Sequence, residues 1–207
     1  MIIIYLETNS IMAIAKGRNK ELEDFVYQSS DKLKFVIPSI CLMETLVAIE
    51  REEKRSQSFS QTIQIEMNEG KRNKELANSE SFVNYLELCL IDYGKLIRDF
   101  RKRFLKIIEY LKDHGQLIEP SIAILETTLK NPILPGKNQN RDDFILQVIL
   151  AHAGNNSSIS KAFFSENTKD FGNTNIQQIL TSLGINYFGK VSNLAGWLNE
   201  QNNKPVT

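Results

Sequence analysis

Residues 2–6 read I-I-I-Y-L, an unbroken apolar run rich in β-branched and aromatic side chains, and Glu7 stops it. A run this short, bounded by polar residues, is a strand buried on both faces. The interior of a parallel sheet, covered by helices on both faces, looks like this. Ligands of such sheets bind outside the carboxyl ends of the strands, and that is where Glu7 falls. A local role competes with the chemical one: Glu7-Thr8-Asn9 can cap the following helix, since Thr and Asn are good caps.

The remaining strands are read from the same kind of signal, at residues 33–37 (closed by Pro38-Ser39), 161–165 and 185–188. Helical segments fall at 11–15 and 21–28. A strong helix follows Ser39, with Leu42 and Met43 expected in the core. A solvated helical stretch covers 50–74, with a break expected near Gly70. Further helices are expected from 119–121 through Leu129, at 142–153, at 176–183 and at 191–199, the last carrying Trp197 as a core or interface anchor. Residues 131–140 are a Pro/Gly/Asn loop.

Between 82 and 111, Phe82, Leu86, Cys89, Tyr93, Leu96, Phe100, Phe104, Ile107 and Leu111 recur at steps of three and four. That is one apolar stripe along a helix roughly 45 Å long. A small sheet domain cannot cover all of it, so the stripe is expected to pack on the preceding helix or on a second copy of the chain. The order strand-helix, strand-helix, helical insert, helix-strand, helix-strand predicts a single three-layer α/β/α domain, with a helical insert at about residues 50–130.

With 25 basic and 25 acidic residues among 207, the chain is neutral, so nucleic-acid contact must come from a local patch. Arg98, Arg101, Lys102, Arg103 and Lys106 form one on the long helix. They could track RNA phosphates, or they are the solvated face of an amphipathic helix. Cys41 and Cys89 lack metal-ligand spacing and read as buried thiols. His152 lies in an apolar helix and reads as packing, and His114 as a helix-end residue. Residues 2–6 are too short for a signal peptide and nothing reads as a membrane span, so the expected location is the cytoplasm.

Four acidic positions recur at strand ends or helix starts: Glu7, Glu44, Asp142 with Asp143, and Asp170 with Asn167. In a parallel sheet these points share one edge and converge. Clustered carboxylates repel one another and raise each other's pKa unless a cation intervenes. Oxygen donors of this kind suit Mg²⁺ or Mn²⁺, which support phosphodiester cleavage. Taken singly, each is also an acid favoured by a helix N-terminus.

These motifs resemble the PIN-domain family of metal-dependent ribonucleases, which includes toxin components of toxin–antitoxin pairs. The family's opening strand and Asp-Thr-Asn correspond to I-I-I-Y-L-E-T-N, its helical Glu to I-P-S-I-C-L-M-E, its D-x-x-I-L to D-D-F-I-L, and its T-R-N-x-K-D-F to S-E-N-T-K-D-F. The resemblance covers about residues 1–51 and 140–188. It implies a Mg²⁺- or Mn²⁺-dependent endoribonuclease acting at Glu7, Glu44, Asp142, Asp170 and Asn167, with Glu7, Asp142 and Asp170 as metal ligands. Thr8, Asn9 and Ser165 are implied as hydrogen-bonding groups that fix the carboxylates. The implied partners are single-stranded or structured RNA and an antitoxin or other protein; a homodimer through the long helix is expected from the apolar stripe, not from the resemblance. Asp142 is favoured over Asp143 by the motif's spacing. Three departures stand out. Glu7 replaces Asp, extending the carboxylate by about 1.5 Å. Glu166 stands where a basic residue is common. The insert is longer than in compact toxin-type members. A PIN-like RNA- or protein-binding module with weakened catalysis is the main alternative. A phosphate hydrolase of another α/β fold is a second, but it would need an Asp nucleophile where this chain has Glu7.

Overall fold

A computed structural model describes residues 1–30, 32–134 and 140–203. Among these, the strands β1 (Ile2–Leu6), β2 (Leu33–Pro38), β3 (Gly115–Ile118), β4 (Ser160–Phe164) and β5 (Ile185–Phe188) form one sheet in the order β3-β2-β1-β4-β5. Every pairing is parallel. β1 is central and buried along its whole length, as its unbroken apolar run requires. Its register pairs Leu6 with Phe164 of β4, so the next residues, Glu7 and Ser165, emerge side by side at the carboxyl edge.

Helices α1 (Thr8–Ala15), α2 (Lys20–Tyr27), α5 (Ile122–Lys130), α6 (Asn140–Gly154), α7 (Thr168–Phe171), α8 (Thr174–Ser182) and α9 (Val191–Asn202) surround the sheet. The core runs from Ile3, Ile4 and Tyr5 through Phe35, Ile37, Phe163 and Phe164 to Ile11, Leu146 and Leu194 on the flanking helices. Lys161 is fully buried in β4, and its ammonium donates to the carbonyls of Asn156 (2.7 Å) and Ile159 (3.0 Å). His152 hydrogen-bonds Tyr5 Oη through Nδ1 at 2.8 Å, consistent with a packing role. His114 closes its helix, stacked on Tyr110. Trp197 packs against Phe188.

The insert is a helical hairpin of α3 (Ser39–Arg72) and α4 (Ser79–His114), each about 50 Å long. Four expectations change here. The insert region is not wholly helical: β3 lies within it and pairs with β2 at the sheet edge. This strand has four residues, begins with Gly and buries only Ile118 fully, so it leaves no apolar run to detect. α3 does not break at Gly70 but runs to Arg72; a Cβ on Gly70 would lie 2.8 Å from Val83, so the glycine lets the two helices approach. Met43 is 60% exposed, and the core positions of that turn are Cys41, Thr45 and Ile49. The stripe on α4 packs on the preceding helix as expected, with Leu86, Tyr93 and Phe100 half-buried, but it is fully buried only toward its C-terminal end, at Phe104, Ile107 and Leu111, and Phe82, Cys89 and Leu96 are exposed. Cys89 is therefore a surface thiol, while Cys41 is buried as expected. The loop expected at 131–140 is described only at its ends; residues 135–139 lie outside the described residues. No helix among the described residues is long and apolar enough to cross a membrane.

Candidate functional site

Glu7 leaves β1 in extended conformation and becomes the N-cap of α1. Its Oε2 accepts from the Asn9 N–H at 2.6 Å and its Oε1 from the Ser10 N–H at 3.3 Å. The Ser165 hydroxyl donates to the same Oε1 at 3.0 Å. Capping and site roles therefore meet in one side chain, and the cap is Glu7 itself, with Thr8 and Asn9 already inside the helix. Glu7 is 1% exposed. Burial pushes its carboxyl up to about 7, against the hydrogen bonds that favour the charged form, and the nearby charge of Asp142 adds to the rise.

Glu44 lies in the second turn of α3. The Thr8 hydroxyl donates to its Oε2 at 2.5 Å, and the Arg141 guanidinium sits 3.3 Å from Oε1. Asp142 opens α6, and burial together with the charges of Asp170 and Glu44 raises its carboxyl. Asp143 turns the other way. Wholly buried, it accepts from the backbone N–H groups of Ile133 (3.0 Å) and Leu134 (3.3 Å) and so anchors the segment before α6. Of the two neighbours, Asp142 is the one that faces the other acids.

On the far side, Asn167 caps α7 and its amide donates to Asp170 Oδ2 at 2.8 Å. The Asn167 N–H donates to Ser165 Oγ at 3.0 Å. Ser165 thus couples the α7 turn to Glu7. Glu166, where a basic residue was noted as common, accepts from Asn19 Nδ2 at 2.7 Å.

Glu7, Thr8, Asn9, Glu44 and Asp142 line one cavity of about 500 Å³. Its wall includes Ile40, Met43 and Val47, and three cations share it: Arg18, Arg51 and Arg141. Sequence reading missed these arginines. Arg51 follows Glu44 by two helical turns and Arg141 adjoins Asp142, so both carried a positional signal; Arg18 follows the turn at Gly17 and carried none. Ser10 was also missed: its hydroxyl reaches Glu7 Oε1 (3.4 Å) and the Phe164 carbonyl (3.3 Å). A larger cavity of about 600 Å³ lies at the outer end of the hairpin, around Gly70, Lys71 and Glu80, away from all of these acids.

The basic patch on α4 is placed elsewhere. Arg101 makes a two-pronged pair with Glu53 at 2.8 and 3.0 Å. Arg103 donates to the Ile14 carbonyl and to Glu23, clamping α4 to α1 and α2. Lys106 lies over the Tyr27 ring. Arg98 and Lys102 are exposed, and none of these residues lines the acidic cavity. Of this run, read from sequence either as a track for RNA phosphates or as a solvated helix face, two arginines are held by acids or carbonyls of their own chain.

The donors in the cavity are all oxygens, the class that Mg²⁺ and Mn²⁺ take. Asp142 raises Glu7, and Asp170 and Glu44 raise Asp142, which is the repulsion such an ion would relieve. Among the described residues no three of His, Cys, Asp and Glu stand close enough to clasp a metal. The residues fit a hard divalent ion in kind and in electrostatics, with the carboxylates standing apart.

A family model described as PIN domain matches residues 4–171, from β1 through α7. Comparisons with curated proteins and with solved structures return no match. The matched span contains every acid of the cavity, most of β1, all of β2, β3 and β4, and the Asn167–Asp170 turn. The chain belongs to the PIN-domain family, whose members are generally nucleases.

Proposed function

We propose that this protein is an endoribonuclease that hydrolyses RNA phosphodiester bonds in the acidic cavity, with Mg²⁺ or Mn²⁺ as cofactor. The observation that carries this reading is the convergence of Glu7, Glu44 and Asp142 on one cavity, with Asp170 near enough to raise Asp142. Glu7, Asp142 and Asp170 are the residues that would hold the ion, with Glu44 completing the set. When bound, the ion supplies positive charge beside the phosphate and lowers the pKa of water. The chain's own groups do the positioning. Ser165, Ser10 and the Asn9 N–H fix Glu7, Thr8 aims Glu44, and Asn167 orients Asp170. Arg18, Arg51 and Arg141 line the same cavity and would hold the phosphates flanking the cleaved bond.

The test is cleavage of a mixed-sequence single-stranded RNA with Mn²⁺, with Mg²⁺ and with chelator, comparing wild type with Asp142→Asn. Metal-dependent cutting that disappears in the variant supports the reading. Cutting that survives substitution, or none from folded wild type, overturns it.

One observation favours a second reading, a binding module with weakened catalysis: Glu44 already accepts from Thr8 and is ion-paired with Arg141, which leaves less of its charge for a metal. In that case the protein binds RNA without cutting it under any metal condition. A protein partner such as an antitoxin belongs to either reading.

A further inference from the structure

We propose that Arg141 is shared between Glu44 and the RNA: without RNA it covers Glu44, and bound RNA draws it onto a backbone phosphate, which opens Glu44 to the divalent ion. The inference rests on the nuclease reading above. Both oxygens of Glu44 are taken. Oε2 accepts from the Thr8 hydroxyl at 2.5 Å, and Oε1 faces the Arg141 guanidinium at 3.3 Å. The two partners differ in how firmly they hold. Thr8 sits in the first turn of α1, beside Glu7, and its bond is short. The Arg141 contact is long for a charge-assisted hydrogen bond, which runs about 2.7–2.9 Å. Two other arginines show what a fixed guanidinium looks like in this protein. Arg101 grips Glu53 with two nitrogens at 2.8 and 3.0 Å, and Arg103 bonds both the Ile14 carbonyl and Glu23.

Exposure decides which partner moves. The Glu44 side chain is 15% exposed and the Arg141 side chain 69%. Glu44 shares its cavity wall with Glu7 and Asp142. A carboxylate partly out of water and close to like charges requires a cation, and Arg141 supplies it. Its charge also reaches Asp142, the next residue, against those of Asp170 and Glu44. Arg141 thus fills the electrostatic role of the ion, from a side chain open enough to turn outward. It is also one of the three arginines that line the cavity. A guanidinium binds phosphate and carboxylate oxygens alike. With a strand in the cavity, Arg141 exchanges one anionic oxygen for another, Oε2 of Glu44 stays on Thr8, and Oε1 is freed. The consequence is a coupling in which RNA and the ion tighten each other's binding by the same factor. Without RNA, one carboxylate of the set is already covered.

The experiment measures Mn²⁺ binding to the full chain by electron paramagnetic resonance, with and without a cleavage-resistant phosphorothioate single-stranded RNA. Circular dichroism monitors folding, and the RNA alone corrects for ions that it binds itself. Without RNA, Arg141→Ala should bind Mn²⁺ about fivefold more tightly than wild type, the size expected when a partly exposed ion pair is removed. In a Glu44→Gln background the same substitution should change Mn²⁺ affinity by less than about twofold, because the carboxylate it covered is gone. The tightening of Mn²⁺ binding by RNA should be about fivefold smaller in Arg141→Ala than in wild type. An Arg141→Ala protein that binds Mn²⁺ no more tightly than wild type overturns the proposal. So does a gain that persists in Glu44→Gln, which is a general effect of charge, or a tightening by RNA that is equal in both proteins. Any of these results with a wild type that binds Mn²⁺ removes the switch and keeps the nuclease reading. A folded chain that binds no Mn²⁺ in any variant, with or without RNA, removes both.

Discussion

The Ser165 hydroxyl donates to Glu7 Oε1 at 3.0 Å across two neighbouring strand ends, although the residues lie 158 positions apart. The same hydroxyl oxygen accepts from the Asn167 N–H. Ser165→Ala removes both bonds in a buried setting, so a stability loss of about 1–2 kcal/mol is expected. RNA cleavage should fall by about tenfold or more, because Glu7 and the α7 turn lose their common anchor. Urea unfolding and single-turnover cleavage measure the two effects separately. A full stability loss with unchanged cleavage would remove Ser165 from the positioning network.

Glu7 makes stability depend on pH. Its carboxyl titrates near 7 in the folded protein, against the ordinary 4.5 that the unfolded chain retains. The folded state therefore binds this proton more tightly. Its stabilising effect is complete below about 4.5 and is lost as pH rises toward 7, by roughly 3 kcal/mol in all. Glu7→Gln abolishes that charge. Its stability advantage over wild type, with chelator present, should be small at pH 5 and grow until about pH 7. Parallel stability curves for the two proteins across that interval would contradict the assignment.

Asp142 and Asp143 should separate cleanly. Asp143→Ala orphans the N–H groups of Ile133 and Leu134, so a loss of about 2 kcal/mol is expected in denaturant unfolding. Asp142→Asn removes a charge that its neighbours Asp170 and Glu44 already oppose. It should leave the metal-free protein as stable as wild type or more so, while abolishing cleavage. The reverse pattern would exchange their roles.

The arginines divide in the same way. Arg51→Ala and Arg141→Ala should weaken RNA binding and each reduce the dependence of log affinity on log salt by about one. Arg103→Ala should leave binding unchanged and cost stability, because its guanidinium joins α4 to the Ile14 carbonyl and Glu23. Fluorescence anisotropy at several salt concentrations, alongside thermal unfolding, distinguishes the two groups.

The parts of this fold that are legible in the sequence are those written as burial patterns. β1 announces itself because every residue is inside, and α1, α2 and α9 differ from their expected limits only at the ends. β3 is illegible because an edge strand of four residues that buries only Ile118 needs no apolar run. The acids of the site were found because strand ends and helix starts share an edge in a parallel sheet. The arginines of the cavity are fainter: Arg51 and Arg141 are marked only by their spacing from Glu44 and Asp142, and Arg18 owes its place to how α1 is packed, which local sequence does not encode. On α4, Glu53 and Glu23, far away in the chain, hold two members of the basic run, and local sequence does not encode those pairings either.

Gly70 lets the two arms of the hairpin run closely side by side, so the chain that leaves β2 at Pro38 returns to the same sheet edge at Gly115. An excursion that ends where it began imposes no geometry on what it leaves. Removing about two turns from each arm would shorten the hairpin by about 10 Å and keep its helical phase. The β2–β3 register would be unaffected. The reach of this molecule is therefore adjustable in steps, like a telescoping arm, without disturbing the cavity at its base.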